Sequence, residues 1–316
     1  MKRAVNVSIV IHTHEREKSL LRLLSSIKEQ TVLIRELILV ENTTRKIKFS
    51  TYKLDKFFDH SLKCRYFSTS SSNIAVSRNI SIYKASQPII VFLDDDVVID
   101  RKYVEKVWNL HKKYSDTVLV GRIEPFKKTF LTAFWGNYLS FNVPFSCATC
   151  SLDCYSSAAF SIKREFLARN RIIFNESYRF NNGEDVDFFI RLSSLGGKLL
   201  FHRDLTVKHD FKTSFLGFIK RQYEYGYNFA SLSKNLPKYF SIEEYFPCRK
   251  REWLFFPLFF VRLVQKKFSE FKNIQSSEIT LLFSVVIQQM IFIIAIYSSV
   301  DGFEKLKSKL RQSWNY

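Results

Sequence analysis

The stretch Ile89–Asp100, IIVFLDDDVVID, runs from an apolar segment straight into three consecutive carboxylates, Asp94, Asp95 and Asp96. An apolar run of this length, preceded by Pro88, is expected to form a buried strand, and the acids then stand at its C-terminal end. Side chains alternate along a strand, which puts Asp94 and Asp96 on one face and Asp95 on the other. Three adjacent anions repel one another and are costly to desolvate without a partner. A cation answers both costs. Hard carboxylate oxygens suit Mg2+ or Mn2+, ions that commonly bridge protein carboxylates to substrate phosphates. The plainer alternative is a solvated acidic turn capping a helix that begins near Arg101, although Asp100 already supplies that cap.

Working outward, Val5–Ile11, Glu36–Val40 and Lys63–Phe67 read as strands. Lys18–Gln30 reads as a helix on its stripe of Leu20, Leu21, Leu23, Leu24 and Ile27. Asn73–Ala85 reads as another, with Ile74, Ala75, Ile80 and Ile82 for packing and Arg78 near its middle. Tyr103–Tyr114 is expected to be helical and Val118–Ile123 a strand. Strands alternating with helices predict an α/β fold with a mostly parallel sheet covered on both faces. Ligands bind such sheets in the crevice at the strands' C-terminal ends. Thr13, Glu41 and Asp94–Asp96 all fall at that edge. From Glu124 to Asp153 regular patterning fades into a Phe-rich stretch, and long irregular connections are often functional. Tyr155–Ile162 is expected to be a strand and Arg164–Arg169 a short helix. Asn181–Asp187, NNGEDVD, opens a helix that runs to about Leu195. Acids in a first helical turn are favoured by the dipole, so Glu184, Asp185 and Asp187 read by themselves as capping. Lys198–Phe201 and Leu205–Val207 are expected as short strands, with His209 just beyond.

At 316 residues, with 46% hydrophobic and 25% charged residues, the chain can bury a full core in one large domain or two. Lys and Arg number 49 against 30 Asp and Glu, a net charge of +19, which serves nucleic acid, an anionic membrane or phosphorylated substrates. There is no zinc-finger spacing, RNP-type aromatic motif or isolated basic arm, so no nucleic-acid partner is expected. Five cysteines without a secretory signal point to a reducing compartment.

Taken in order, these pieces resemble the family 2 glycosyltransferases, nucleotide-sugar enzymes of the GT-A fold. VSIVIHTHER (Val7–Arg16) is similar to the family's first strand and nucleotide-binding turn. NIAVSRN (Asn73–Asn79) is similar to its helix with an Arg-Asn pair, and FLDDD (Phe92–Asp96) to its DXD motif. Ser157–Leu167 resembles its acceptor-side segment, Gly183–Asp187 its GED motif, and Val207–His209 its late histidine. The resemblance implies an inverting, metal-assisted transfer of one sugar from a nucleotide-sugar donor to a saccharide or lipid-linked acceptor. It implies that Asp96 and His209 ligate Mn2+ or Mg2+, and that Asp94 and Asp95 contact ribose or the metal's waters. Thr13, Glu15, Glu41 and Arg78 would line the base and ribose pocket, Asp185 would be the general base, and Glu184 would orient acceptor or backbone. The chain departs from the family pattern in three places: His12-Thr13-His14-Glu15 replaces Pro-Thr-Tyr-Asn, Glu41-Asn42 replaces two acids, and Ala158 or Ala159 stands where the acceptor-side segment often has Asn. Alternatives outside this class are a nucleotide-binding protein of the same fold without transferase activity and a metal-dependent nucleotidyltransferase.

The resemblance covers roughly the first two thirds of the chain, and the expected division is a catalytic GT-A domain over 1–212 and a helical, membrane-associating region over 213–316. Within the latter, Phe215–Leu232 resembles the family's basic, aromatic helix and carries Arg221. Trp253–Val264 is apolar but too short to span a bilayer. Ile279–Val300 is uncharged and long enough to span, yet Thr280, Ser284 and Gln288 give it a polar stripe, and both flanks are basic. An interfacial helix pair on an anionic surface fits that pattern, with the protein at the cytoplasmic face of a membrane, peripheral or anchored. Cys147, Cys150 and Cys154 form C-x2-C-x3-C, either three of four zinc ligands with Cys248 or small buried thiols.

Overall fold

The computed structural model describes residues 2–43, 51–58, 62–127, 149–152, 156–178 and 183–211, with isolated positions between 217 and 238. The chain divides into two units, Met1–Ser177 with Glu184–Lys212, and Tyr178–Gly183 with Thr213–Tyr316. Arg221, Cys147, Cys154, Cys248 and the apolar segments 253–264 and 279–300 lie outside the described residues. Among the described residues no helix is long and apolar enough to cross a membrane. In the second unit, Gly183 lies at φ +89°, in the left-handed region that favours glycine, and Asn235 donates to the Tyr178 hydroxyl at 3.2 Å.

The first unit begins as its alternating pattern predicts. It runs β1 (Ala4–Thr13), α1 (Glu17–Lys28), β2 (Leu33–Asn42), α2 (Thr51–Phe57), β3 (Lys63–Thr69), α3 (Ile74–Lys84) and β4 (Ile89–Asp94). β1 pairs in parallel with both β2 and β4, and β2 with β3. Val7 to Ile11 are buried without alternation, as in a strand covered on both faces. The chain continues through β5 (Val97–Ile99), α4 (Tyr103–Lys113), β6 (Thr117–Val120), β7 (Ile123–Pro125), β8 (Thr149–Leu152) and β9 (Ala159–Lys163). It ends with α5 (Arg164–Asn170), α6 (Glu184–Ser194), β10 (Lys198–His202) and β11 (Val207–His209).

The main sheet has the order β3-β2-β1-β4-β9-β6-β10-β8. Its first half is parallel. Its second half is mixed, because β9 runs antiparallel to both β4 and β6, and β8 antiparallel to β10. The departure begins where strand and helix stop alternating in the sequence, after Glu124. A second sheet, β5-β11-β7, has no counterpart in the sequence reading. It splits the expected strand Val118–Ile123 in two, giving β6 to the main sheet and β7 to the small one. Gly121 lies at the split, where a Cβ would sit 1.4 Å from the Leu205 carbonyl oxygen, so only glycine lets the chain pass. The strand expected at Leu205–Val207 is shifted to Val207–His209, drawn there by its pairing with β5.

Helix α3 also differs from its expected packing. Its buried residues are Ala75, Ser77, Arg78, Asn79 and Ser81, a largely polar face, while Ile74, Ile80 and Ile82 are only half-buried. The inward polarity is used. Asn79 donates to the Phe174 carbonyl at 3.0 Å and accepts from the Phe174 N–H at 2.8 Å, which ties the segment after α5 to α3. Below it lies an aromatic block. Phe92 stacks on Phe160 with ring centroids 4.4 Å apart, Phe174 on Phe188 at 4.1 Å, and Phe189 meets Phe160 edge-on.

Glu36 is a fully buried acid in β2. It accepts from Ser8 Oγ at 2.6 Å, from the Ser86 N–H at 2.8 Å and from Arg65 at 3.2 Å. Burial alone would raise its pKa, but the hydrogen bonds from Ser8, Ser86 and Arg65 outweigh it and hold the carboxyl below its ordinary value. A depressed carboxyl contributes stability that is present above its unfolded pKa and is lost as pH falls through the folded one. Glu36→Gln is therefore expected to cost about 1–3 kcal/mol at neutral pH in denaturant unfolding. The gap between the two proteins should close as the solution is made more acidic than about pH 4. A gap of constant size across that range would show that the charge of Glu36 is not what the network uses.

Candidate active site

Strand register assembles the site. Thr13 pairs with Glu41 across β1 and β2, and His12 with Asp94 across β1 and β4, so Thr13, Glu41 and Asp94 stand at one C-terminal edge. The small sheet brings in His209. It pairs with Val97, one residue past Asp96, and the Asp210 N–H donates to the Asp96 carbonyl at 2.8 Å. One ligand atom each from Asp94, Asp96 and His209 consequently lie within 4.8 Å of one another. His209 Nε2 is 3.3 Å from Asp96 Oδ1. Asp96 Oδ1 and His209 Nδ1 are buried and have no hydrogen-bond partner among the described residues. Two carboxylates and an imidazole with unmatched polar atoms fit a divalent cation.

The three acids divide differently from the expected nucleotide and metal roles. Asp94, expected on the nucleotide side, joins Asp96 and His209. Asp95 turns away, accepting from Thr13 Oγ1 at 2.7 Å and from Arg16 at 3.1 Å. The sides taken are those that strand alternation predicts, Asp94 with Asp96 and Asp95 opposite, although β4 itself ends at Asp94. Burial pushes the Asp95 carboxyl up to about 6, with Arg16 opposing and Asp96 adding to the rise. Burial also raises Asp94, pulled down by Arg78 and pushed up by Asp96. Such a cluster favours an added positive charge.

Arg78, expected to line the base and ribose pocket, is found within a buried network of acids. It is 2% exposed, because it projects from the inward face of α3. It donates to Glu184 Oε1 at 2.7 Å and to Ser157 Oγ at 2.8 Å, and lies 3.5 Å from Asp94 Oδ1. Its guanidinium covers the Phe174 ring at 5.1 Å. Ser157 passes the network on, donating to Asp185 Oδ2 at 2.9 Å. The other Asp185 oxygen accepts from the Val186 N–H at 2.9 Å. One buried guanidinium thus faces Asp94, Glu184 and Asp185 together. Glu184, expected to orient acceptor or backbone, gives its Oε1 to Arg78, while its buried Oε2 has no hydrogen-bond partner among the described residues. Its carboxyl is pushed up to about 7, chiefly by burial and then by Asp185, against the pull of Arg78. Asp187, read as helix-end electrostatics, accepts from Arg191 one turn on at 2.7 Å.

At the sheet edge beyond β1 and β2, Glu41 is buried and accepts from the Tyr66 hydroxyl at 2.7 Å. His14 Nδ1 lies 2.6 Å from the Asn42 carbonyl, and Ser77 bonds the Asn42 side chain. Glu15 sits at φ +55°, a region that costs a non-glycine residue. Three functional features went unread in the sequence. Arg16 answers Asp95 and Asp96, and three anions in a row were a signal that such a cation exists. Ser157, read only as the start of the acceptor-side segment, joins Arg78 to Asp185. The pairing that delivers His209 involves strands too short to show a period.

Residues 8–171, just over half of the chain, match Glycosyl transferase family 2, and the chain belongs to that family. Among solved structures it is similar to GalNAc-T7 crystallised with UDP, GalNAc and Mn2+, with TM-score 0.54 and 17% identity over 66% of this chain. S. aureus TarS residues 1–349 give TM-score 0.52 and 14% identity over 92% of this chain and 90% of that one. A second TarS crystal structure gives TM-score 0.50 and 14% identity over 71% of this chain. The chain spans 44% of the solved GalNAc-T7 chain and 40% of that second TarS chain. At these identities the likeness is one of fold. No curated protein is significantly similar in sequence.

Removing Arg78 leaves buried carboxylates without their partner. Arg78→Met is expected to lower stability by about 3–5 kcal/mol in denaturant unfolding. Adding Glu184→Leu to it should recover part of that loss, since the stranded acid is then gone. A double variant less stable than Arg78→Met would show that the pair is not the origin of the cost.

Proposed function

We propose that this family 2 glycosyltransferase is inverting and divalent-metal-dependent, and that it moves one sugar from a nucleotide-sugar donor to a hydroxyl of a saccharide or lipid-linked acceptor. The observation that carries the reading is the chain of contacts from Asp94 through Arg78 and Ser157 to Asp185. It couples a metal-capable group on one side to a carboxylate poised on the other.

In this reading the acceptor oxygen attacks the anomeric carbon as the bond from that carbon to the diphosphate oxygen breaks. The hydroxyl proton passes to Asp185 and the nucleoside diphosphate leaves. Ser157 and the Val186 N–H fix the orientation of Asp185, which a general base needs in order to stay within hydrogen-bond reach of the attacking oxygen. A single displacement inverts the sugar and needs no protein nucleophile. Asp94, Asp96 and His209 would hold the cation, which when bound supplies charge stabilisation to the departing diphosphate. The imidazole in that set favours Mn2+ over Mg2+, and the Mn2+ and UDP in the GalNAc-T7 structure support the same choice of ion and donor class. Thr13, Glu15 and Glu41 lie at the edge proposed for the nucleoside. The excess of basic residues and the apolar segments of 213–316 support attachment at the cytoplasmic face of an anionic membrane.

Thermal-shift measurements with nucleoside diphosphates and nucleotide sugars, with and without Mn2+, test the donor and the ion. Stabilisation by nucleotide should need Mn2+ and should be lost in Asp96→Asn and in His209→Ala. Asp185→Asn should keep Mn2+-dependent nucleotide binding while its turnover of the sugar nucleotide falls about 100- to 10,000-fold. Equal turnover by wild type and Asp185→Asn would remove Asp185 as the base.

A further inference from the structure

Arg16 is placed against two local rules. It is the N-cap of α1 with no side-chain capping bond, at the helix end where the dipole disfavours a cation. It also follows Glu15 at φ +55°. What holds it there is the acidic turn, with Nη1 3.1 Å from Asp95 Oδ1 and 2.5 Å from Asp96 Oδ2.

Asp96 is therefore shared between two claims. Its Oδ2 faces Arg16, and its Oδ1, without a hydrogen-bond partner among the described residues, faces His209 of the metal-capable group. A divalent ion entering on Oδ1 comes within one carboxylate's breadth of a guanidinium, in surroundings that screen charge far less than water does. The two cations compete for the same acid. A diphosphate relieves the conflict, because its anionic oxygens serve the ion and the guanidinium at once. Arg16 has the freedom to make that exchange, its side chain being 37% exposed while Asp95 and Asp96 are largely covered.

We propose that Arg16 is a built-in counter-cation that couples metal binding to donor binding. In the free protein it neutralises Asp95 and Asp96 and holds metal affinity down. When ion and donor arrive together it transfers to the donor's diphosphate, and the coupling is reciprocal between the two ligands. The inference rests on the proposed donor chemistry.

The test follows Mn2+ binding to the full chain by loss of the free-ion EPR signal, first without nucleotide and then with UDP or GDP. Without nucleotide, Arg16→Gln should bind Mn2+ roughly tenfold or more tightly than wild type. The gain in Mn2+ affinity on adding nucleoside diphosphate should shrink by a similar factor. Arg16→Lys should behave as wild type, since one ammonium can meet both carboxylates as Nη1 does. Arg16→Ala is read in the same way as Arg16→Gln and covers a folding failure of either. Mn2+ binding by the nucleotide-free variants no tighter than wild type overturns the coupling role, and leaves the transferase reading intact if wild type still binds Mn2+ with nucleotide. Absence of Mn2+ binding by wild type with either nucleotide overturns both.

Discussion

Charge compensation at the end of β4 governs the first unit. Asp94, Asp95 and Asp96 end a strand whose preceding residues, Ile89–Leu93, are all buried, so little water is at hand to disperse their repulsion. The acids are met from three different elements. Arg78 comes from α3 to Asp94, Arg16 from the N-cap of α1 to Asp95 and Asp96, and His209 from β11 to Asp96. Helices and sheets remote in sequence are thereby bound to one turn. The turn in turn lies at the sheet edge where parallel α/β folds present their ligand crevice.

Meeting the acids has consequences for the elements that do it. α3 buries Ser77, Arg78, Asn79 and Ser81, and leaves its isoleucines half-covered. A reading by hydrophobic pattern expects the reverse, because it assumes that the inward face is apolar. Here the inward face meets a charged network on one side and, on the other, backbone outside any strand, which its own side chains pair. Arg78 serves Glu184, Ser157 and Asp94, while Asn79 serves Phe174. The adjacent Arg-Asn pair is thus one electrostatic residue and one scaffold residue.

What was legible in the sequence was local. The strands β1, β2 and β4 announce themselves as apolar runs, α1 by its leucine stripe, and the edge bearing Thr13, Glu41 and Asp94 by polar residues at strand ends. The small sheet was not legible. β5, β7 and β11 are each a three-residue strand, too short for alternation to register, and their pairing joins residues more than eighty positions apart. The shared side of Asp94 and Asp96 was legible from strand alternation, but the grouping of Asp94 with a metal-capable histidine was not, because β11 delivers His209. Glu184 looked like a helix-capping acid in sequence because nothing local shows that a buried guanidinium lies opposite it.

Charge explains which groups meet, but not how far apart they are held. That distance is set by packing. Phe92 on β4 stacks against Phe160 on β9, and Phe160 meets Phe188 and Phe189 on α6, whose first turn carries Glu184 and Asp185. Phe174 closes the block against Phe188 and also lies under Arg78. Aromatic rings in a packed interior have little room to shift. The separation between the strand bearing Asp94 and the helix bearing Asp185 is therefore fixed by rigid apolar contacts beneath the polar network. A carboxylate in the role proposed for Asp185 needs such a floor, since the polar groups above it have alternative partners and the rings below do not.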